Sequence, residues 1–168
     1  MRLLHLVLAT CVLACGSLAH AQQAKTAPCT APEHRQFDFW LGEWEVRDAT
    51  GAFAGRNEIT SVHNGCVVFE SWRGRGGVTG MSFNIYDAEH KKWRQTWVDS
   101  TGGFLELEGT FADGKMELAS PAGDGKGSVN RITWQRLPDA RVRQLWETST
   151  DGGATWKVAF DGYYEKKR

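Results

Sequence analysis

Histidine is scarce in this chain, and none follows His90. His5 and His20 fall in an apolar opening stretch, which leaves His34, His63 and His90. The last two sit in turn-like segments and His34 precedes a dense aromatic cluster, so none is placed as an interior base. No Ser-His-Asp arrangement is visible. Cysteine is sparse too: Cys11 and Cys15 belong to the opening stretch, so Cys29 and Cys66 remain. These two, with His34 and His63 the nearest imidazoles, match no metal-ligand spacing, and no metal is expected. There is no glycine-rich phosphate loop between a strand and a helix, because Gly74–Gly80 joins strand to strand, and no cofactor is expected. An excess of either charge is also missing, with 20 basic against 20 acidic residues. Nothing in that balance draws nucleic acid or an anionic membrane.

The first residues read MRLLHLVLATCVLACGSLAHAQQ. Arg2 supplies a positive end, Leu3–Ala14 is an apolar run too short to span a bilayer, and Ala19-His20-Ala21 is a small-x-small cleavage pattern. Residues 1–21 are therefore expected to be a secretory signal peptide, and the mature protein periplasmic or secreted. A rival reading makes Val12-Leu13-Ala14-Cys15 a lipoprotein box lipidated at Cys15, the one route to a membrane. Cleavage after Ala21 leaves 147 residues, one domain by length, with 19 basic and 20 acidic residues and a balance of −1. In an oxidising compartment Cys29 and Cys66 are expected to pair. The bridge would close about 37 residues and stabilise by roughly 3–4 kcal/mol in the chain-entropy model.

After an arm over residues 22–35, Gln36–Val46 reads QFDFWLGEWEV. Phe37, Phe39, Trp40 and Leu41 crowd before Gly42-Glu43-Trp44 like a plug. From Trp44 onward helical periodicity is rare, and short alternating runs are parted by Gly, Asp, Asn and Pro. Ten strands are expected: Trp44–Asp48, Arg56–Val62, Cys66–Arg73, Met81–Tyr86, Trp93–Asp99, Phe104–Phe111, Lys115–Ala119, Asn130–Leu137, Arg141–Ser149 and Trp156–Glu165. Asn64-Gly65 and Asp113-Gly114 read as two-residue hairpin turns, and Gly74–Gly80 as a mobile loop or wide turn. A meander of this kind leaves exposed edges unless it closes. The expected fold is all-β, an up-and-down antiparallel barrel of about ten strands over residues 36–168. A two-sheet sandwich would use the same alternation.

The Gly-x-Trp at 42–44 resembles the opening signature of lipocalin and calycin barrels. FDFWLGEWEV as a whole is similar to the start of a family of secreted bacterial calycin-like proteins without an assigned activity. The resemblance spans residues 29–168. It implies that Trp40, Gly42 and Trp44 are structural, with the tryptophan packed across the closed end. A related calycin group binds haem through a late histidine, and this chain has none. Ser149–Trp156 fits SxDxGxTW and resembles the Asp-box of sialidases and other β-proteins. With one copy present, Asp151, Gly153 and Trp156 read as a hairpin cap: the carboxylate accepts N–H bonds, the glycine takes positive φ, and the indole packs beneath.

Alternation places Trp72, Trp97, Trp134 and Trp146 on interior faces, with Glu70, Gln95, Asp99 and Gln144 among them. Trp93 shares that face nearer a rim. Aromatic walls with a few polar groups suit a small, partly apolar ligand, with Glu70, Gln95 and Gln144 orienting it. The Gly74–Gly80 and Ser120–Gly127 loops would line the mouth. The bland alternative has Glu70 and Gln95 pairing with each other, or with Arg94 or Arg143, and binding nothing. Two other functions stay open: an isomerase or hydrolase using Glu70 or Asp99 as an interior carboxylate, and a carbohydrate-binding module with indoles on the outer face.

Overall fold

A computed structural model of the chain describes residues 27–121 and 127–167. The leader over 1–21, the acylation candidate Cys15 and part of the Ser120–Gly127 loop lie outside the described residues. Two short 3-10 turns, Pro32–Arg35 and Asp38–Trp40, precede ten strands. These are β1 (Gly42–Asp48), β2 (Phe53–Val62), β3 (Val67–Gly74), β4 (Thr79–Asp87), β5 (Lys92–Asp99), β6 (Phe104–Ala112), β7 (Lys115–Ala119), β8 (Val129–Arg136), β9 (Val142–Ser149) and β10 (Lys157–Lys166). Each strand pairs antiparallel with its neighbours in sequence, and β10 returns to β1, so the sheet is a closed up-and-down barrel. Closure satisfies both edges of the meander, and the sandwich alternative falls away.

The plug closes one end. Phe37 is fully buried and stacks on Trp40 at 4.9 Å between ring centroids. It meets the edges of Trp134 at 5.3 Å and Trp93 at 5.6 Å. Trp44 donates its indole N–H to the Trp40 carbonyl at 2.8 Å, which ties the first strand to the plug. Gly42 stands between them with φ of +140°, where a side chain would be strained and would press on Lys166. Cys29 and Cys66 are joined by a disulfide, Cα atoms 5.1 Å apart. Arg35 donates to the Gly65 carbonyl in the same turn. Bridge and guanidinium together fasten the arm to the β2–β3 connection.

Two local expectations are corrected and a third is made specific. The β2–β3 connection is not a two-residue turn. His63, Asn64 and Gly65 all have positive φ, and Cys66 lies in the turn, its N–H on the His63 carbonyl. Gly74–Gly80 is not a wide loop: Gly74 N–H bonds the Val78 carbonyl, and Gly80 is a strand residue beneath an indole. The rim near which Trp93 stands is the plugged one. Trp93 is 1 % exposed there, with its N–H on Gln36 Oε1.

The plug's weight can be measured. Phe37→Ala is expected to destabilise the fold by about 3–5 kcal/mol, the usual cost of emptying a buried aromatic site. Phe39→Ala, at a half-buried position, is expected to cost clearly less. Equilibrium unfolding in guanidinium checks both; equal costs would mean that Phe37 does not key the plug.

Candidate functional site

Above the plug the barrel narrows to a belt of polar side chains, and above the belt it opens. The cavity has a volume of about 230 Å³. Its upper walls are Trp72 of β3, Trp97 of β5, Leu105 of β6, Trp146 of β9, and Ala159 and Phe160 of β10. Its floor is Glu70, Gln95, Ile132, Gln144 and Tyr164. Six of the seven residues singled out from the sequence are thus brought together. Trp134 is not among them. It is fully buried at the closed end against Phe37 and Trp40, one step too far along β8 to reach the cavity.

The indole walls lie flat because glycines sit beneath them. A Cβ on Gly80 would come within 2.3 Å of the Trp97 ring, and one on Gly55 within 2.6 Å of the Trp72 ring. A Cβ on Gly162 would strike Phe160 at 2.4 Å. Hydrogen bonds fix two of the indoles: Trp97 donates to Asp99 Oδ2 at 3.1 Å, and Trp146 to Asn130 Oδ1 at 2.9 Å. Asp99 therefore belongs to the wall's support and not to a carboxylate pair with Glu70. Its other oxygen accepts from the hydroxyl and N–H of Thr101 and the N–H of Gly103. The Thr101 hydroxyl is the main cause that holds this carboxyl down at about 2.

The floor is a directional chain. Asn84 Nδ2 donates to the Val68 carbonyl at 3.0 Å, which fixes the orientation of that amide. Asn84 Oδ1 must then accept, and does so from Gln95 Nε2 at 2.8 Å. Asn84 Nδ2 also donates to Ser82 Oγ at 3.0 Å, as Gln95 Nε2 does at 3.4 Å, and the Ser82 hydroxyl donates to Glu70 Oε2 at 2.6 Å. From the other side Asn57 Nδ2 donates to Glu70 Oε1 at 2.7 Å and to the Tyr164 hydroxyl at 3.3 Å. Tyr164 donates in turn to Gln144 Oε1. Glu70 is the terminal acceptor of both arms. Burial pushes its carboxyl above the ordinary value, against the pull of the Ser82 and Asn57 bonds. Arg94 and Arg143, weighed as its partners, face outward and pair with Asp87 and Asp161.

Asn57, Ser82, Asn84 and Tyr164 were missed in the sequence, and β4 explains part of this. Its apolar residues Met81, Phe83 and Ile85 point outward, 43, 48 and 42 % exposed, while Ser82 and Asn84 are fully buried. A rule that turns the apolar face inward inverts this strand. The usable signal is pairing, since Glu70 and Val68 stand opposite Ser82 and Asn84. Elsewhere, the Asp-box hairpin sits at the open end. Asp151 accepts from the Thr155 hydroxyl and N–H, Gly153 has φ of +94°, and Trp156 lies under the Arg131 guanidinium at 4.2 Å. Asp48-Ala49-Thr50-Gly51 and Asp99-Ser100-Thr101-Gly102 build matching turns on the same rim, a repeat that was legible and overlooked. All eight tryptophans are buried or half-buried, so no exposed outer indole platform for a sugar is present. Among the described residues no cluster of His, Cys, Asp and Glu is placed to hold a metal, and no helix is long and apolar enough to cross a membrane.

No protein-family model matches the chain, and no curated protein matches it with significance.

Glu70 has a pH signature. Burial moves the ionisation of its folded carboxyl above the ordinary value of 4.5 at which the unfolded chain ionises. Above that pH the native state binds more protons than the unfolded one, so this residue's contribution to stability falls as pH rises. Relative to Glu70→Gln, the wild type is expected to lose stability progressively as pH is raised above 4.5, and to change little relative to it below. Urea unfolding of both proteins across a pH series checks this; parallel curves would exclude it.

Proposed function

We propose that the mature chain is a lipocalin-like container, secreted or periplasmic, that holds one small, partly apolar molecule in the barrel. One observation supports this above the others: a cavity with indole walls over a hydrogen-bonded floor, open at the end opposite the plug. Pockets for small molecules combine apolar walls with a few placed polar groups in this way. The size sets the scale. A cavity of about 150 Å³ already holds benzene, so about 230 Å³ suits a single substituted ring or a short branched chain. Glycine-backed indoles keep the space open before a ligand arrives, which lowers the ordering cost of binding. The disulfide fits an oxidising compartment. The FDFWLGEWEV opening and the indole bond of Trp44 to the plug support a calycin-like kinship.

Native mass spectrometry of the protein purified from its own compartment tests the reading. A discrete small molecule, released on denaturation in a one-to-one ratio, is the expected result. Protein that is empty, and stays empty across a broad panel of single-ring compounds, would refute it. The wall supplies a sharper check. In Gly80→Ala the new methyl must push the Trp97 indole into the lumen. Affinity for the retained molecule is expected to fall by about tenfold or more, in line with the cost of overpacking. Undiminished retention in a folded variant would remove Trp97 from the site.

A further inference from the structure

Glu70 raises a question that a general container leaves unanswered. Its carboxyl is 4 % exposed, and every described hydrogen bond to it is donated, by Ser82 and by Asn57. On the Ser82 side this cannot be reversed: Ser82 Oγ accepts from both Asn84 and Gln95, which fills its two lone pairs, so its own hydroxyl hydrogen is directed at Glu70. Asn57 spends its amide N–H groups on Glu70 and Tyr164. A protonated Glu70 would thus face donors on both oxygens. The belt is arranged around a carboxylate, not around a carboxylic acid.

A buried carboxylate ordinarily has a cationic partner. Among the described residues, none of the lysine, arginine or histidine side chains forms an ion pair with Glu70. Each ion pair that is formed uses other acidic groups. What Glu70 does face is the cavity, with Trp72, Trp97, Trp146 and Phe160 above it. Aromatic faces attract cations through their quadrupoles, most strongly where water is excluded. One further polar atom points the same way. Gln95 Oε1 has no hydrogen-bond partner among the described residues and is not sealed from solvent, so it can accept from a ligand. Gln144 Nε2 is likewise unengaged and not sealed, and can donate to one.

We infer that the cavity takes an organic cation: an ammonium group on a compact apolar body. The ammonium would sit between the Glu70 carboxylate and Gln95 Oε1, with the apolar body among the indoles. A primary or secondary ammonium fits better than a quaternary one, because it offers the N–H donors that Glu70 and Gln95 accept. This assignment rests on the container reading and narrows it by charge. It also accounts for the belt's donors, which would hold the carboxylate in the charged form that the ligand needs.

The test compares three probes that share a phenyl ring and differ in charge: 2-phenylethylammonium, 2-phenylethanol and 3-phenylpropionate. Each is titrated into wild-type protein at neutral pH and followed by tryptophan fluorescence and calorimetry. The ammonium is expected to bind about tenfold or more tighter than the alcohol, the scale of a buried charge-assisted contact, with the carboxylate weakest. In Glu70→Gln the advantage of ammonium over alcohol is expected to vanish while the alcohol still binds. If alcohol or carboxylate binds the wild type as well as the ammonium does, the cation assignment fails and the container reading stands. If the ammonium's advantage survives in folded Glu70→Gln, the assignment to this carboxylate fails. If none of the three binds, the cation assignment fails together with the container reading at this size.

Discussion

The constraint on which the rest depends is the width of a closed ten-stranded sheet. Eight strands already enclose enough room for a packed core or one small ligand, so ten cannot be filled by strand side chains alone. The chain answers by dividing the lumen. Phe37 and Trp40 are carried in from outside the sheet and fill the lower part, where Trp44, Trp93, Trp134 and Tyr164 close around them. The disulfide and Arg35 keep that insertion in place from the arm side. With the lower half packed, the upper half need not be. The cavity follows from the plug, because the aromatic residues that could have filled it are spent below or laid against the wall.

Between the halves lies the belt, which carries a cost. A polar network inside a barrel is tolerable only if its members are satisfied. Most are, through a chain that runs over β5, β4, β3, β2, β10 and β9. Asn57 Oδ1 is an exception, buried without a partner. Glu70 is the larger one, a carboxyl whose burial opposes ionisation while its neighbours favour it. An apolar floor would avoid both costs. Side chains at these positions therefore trade stability for a fixed pattern of donors and acceptors at the bottom of an otherwise apolar cup, the arrangement by which binding sites generally set ligand orientation.

Much of this was legible in the sequence, and the reasons differ between the parts that were and were not. The strands could be read because their breaks are chemical: Asp, Asn and Gly recur where the backbone must reverse. The plug could be read because Phe37, Phe39, Trp40 and Leu41 crowd together directly before Gly42-Glu43-Trp44. Inward faces could be read where one face is plainly apolar, as for Val68 and Trp72 or Ile132 and Trp134. They could not be read on β4, because the interior there must supply Ser82 and Asn84 to Glu70 while Met81, Phe83 and Ile85 remain outside. Trp134 shows a different limit. Alternation gives the face on which a residue lies but not its height along the barrel, and height separates the core under the plug from the cavity wall. Tyr164 was hidden for another reason: it looks like an ordinary strand residue until closure of β10 on β1 brings its hydroxyl to Asn57, which itself reaches Glu70 across the β2–β3 pairing.

The rim fixes the shape of the cup from outside. Asp48, Asp99 and Asp151 each head a turn at the open end, accepting from a nearby threonine hydroxyl and from backbone N–H groups. Asp99 also holds the Trp97 N–H with its second oxygen, so one carboxylate sets both the turn and the wall. Its low pKa, about 2, keeps that arrangement charged through the whole neutral range. Gly80 leaves the space into which the indole folds, and Asp99 stops it from folding out. Trp72 has the glycine without the carboxylate, and Trp146 is held instead by Asn130. Walls fixed from outside in this way do not have to be ordered by what they bind. On the proposed container reading, discrimination is left to the floor, where the unengaged atoms of Gln95 and Gln144 flank the Glu70 carboxyl.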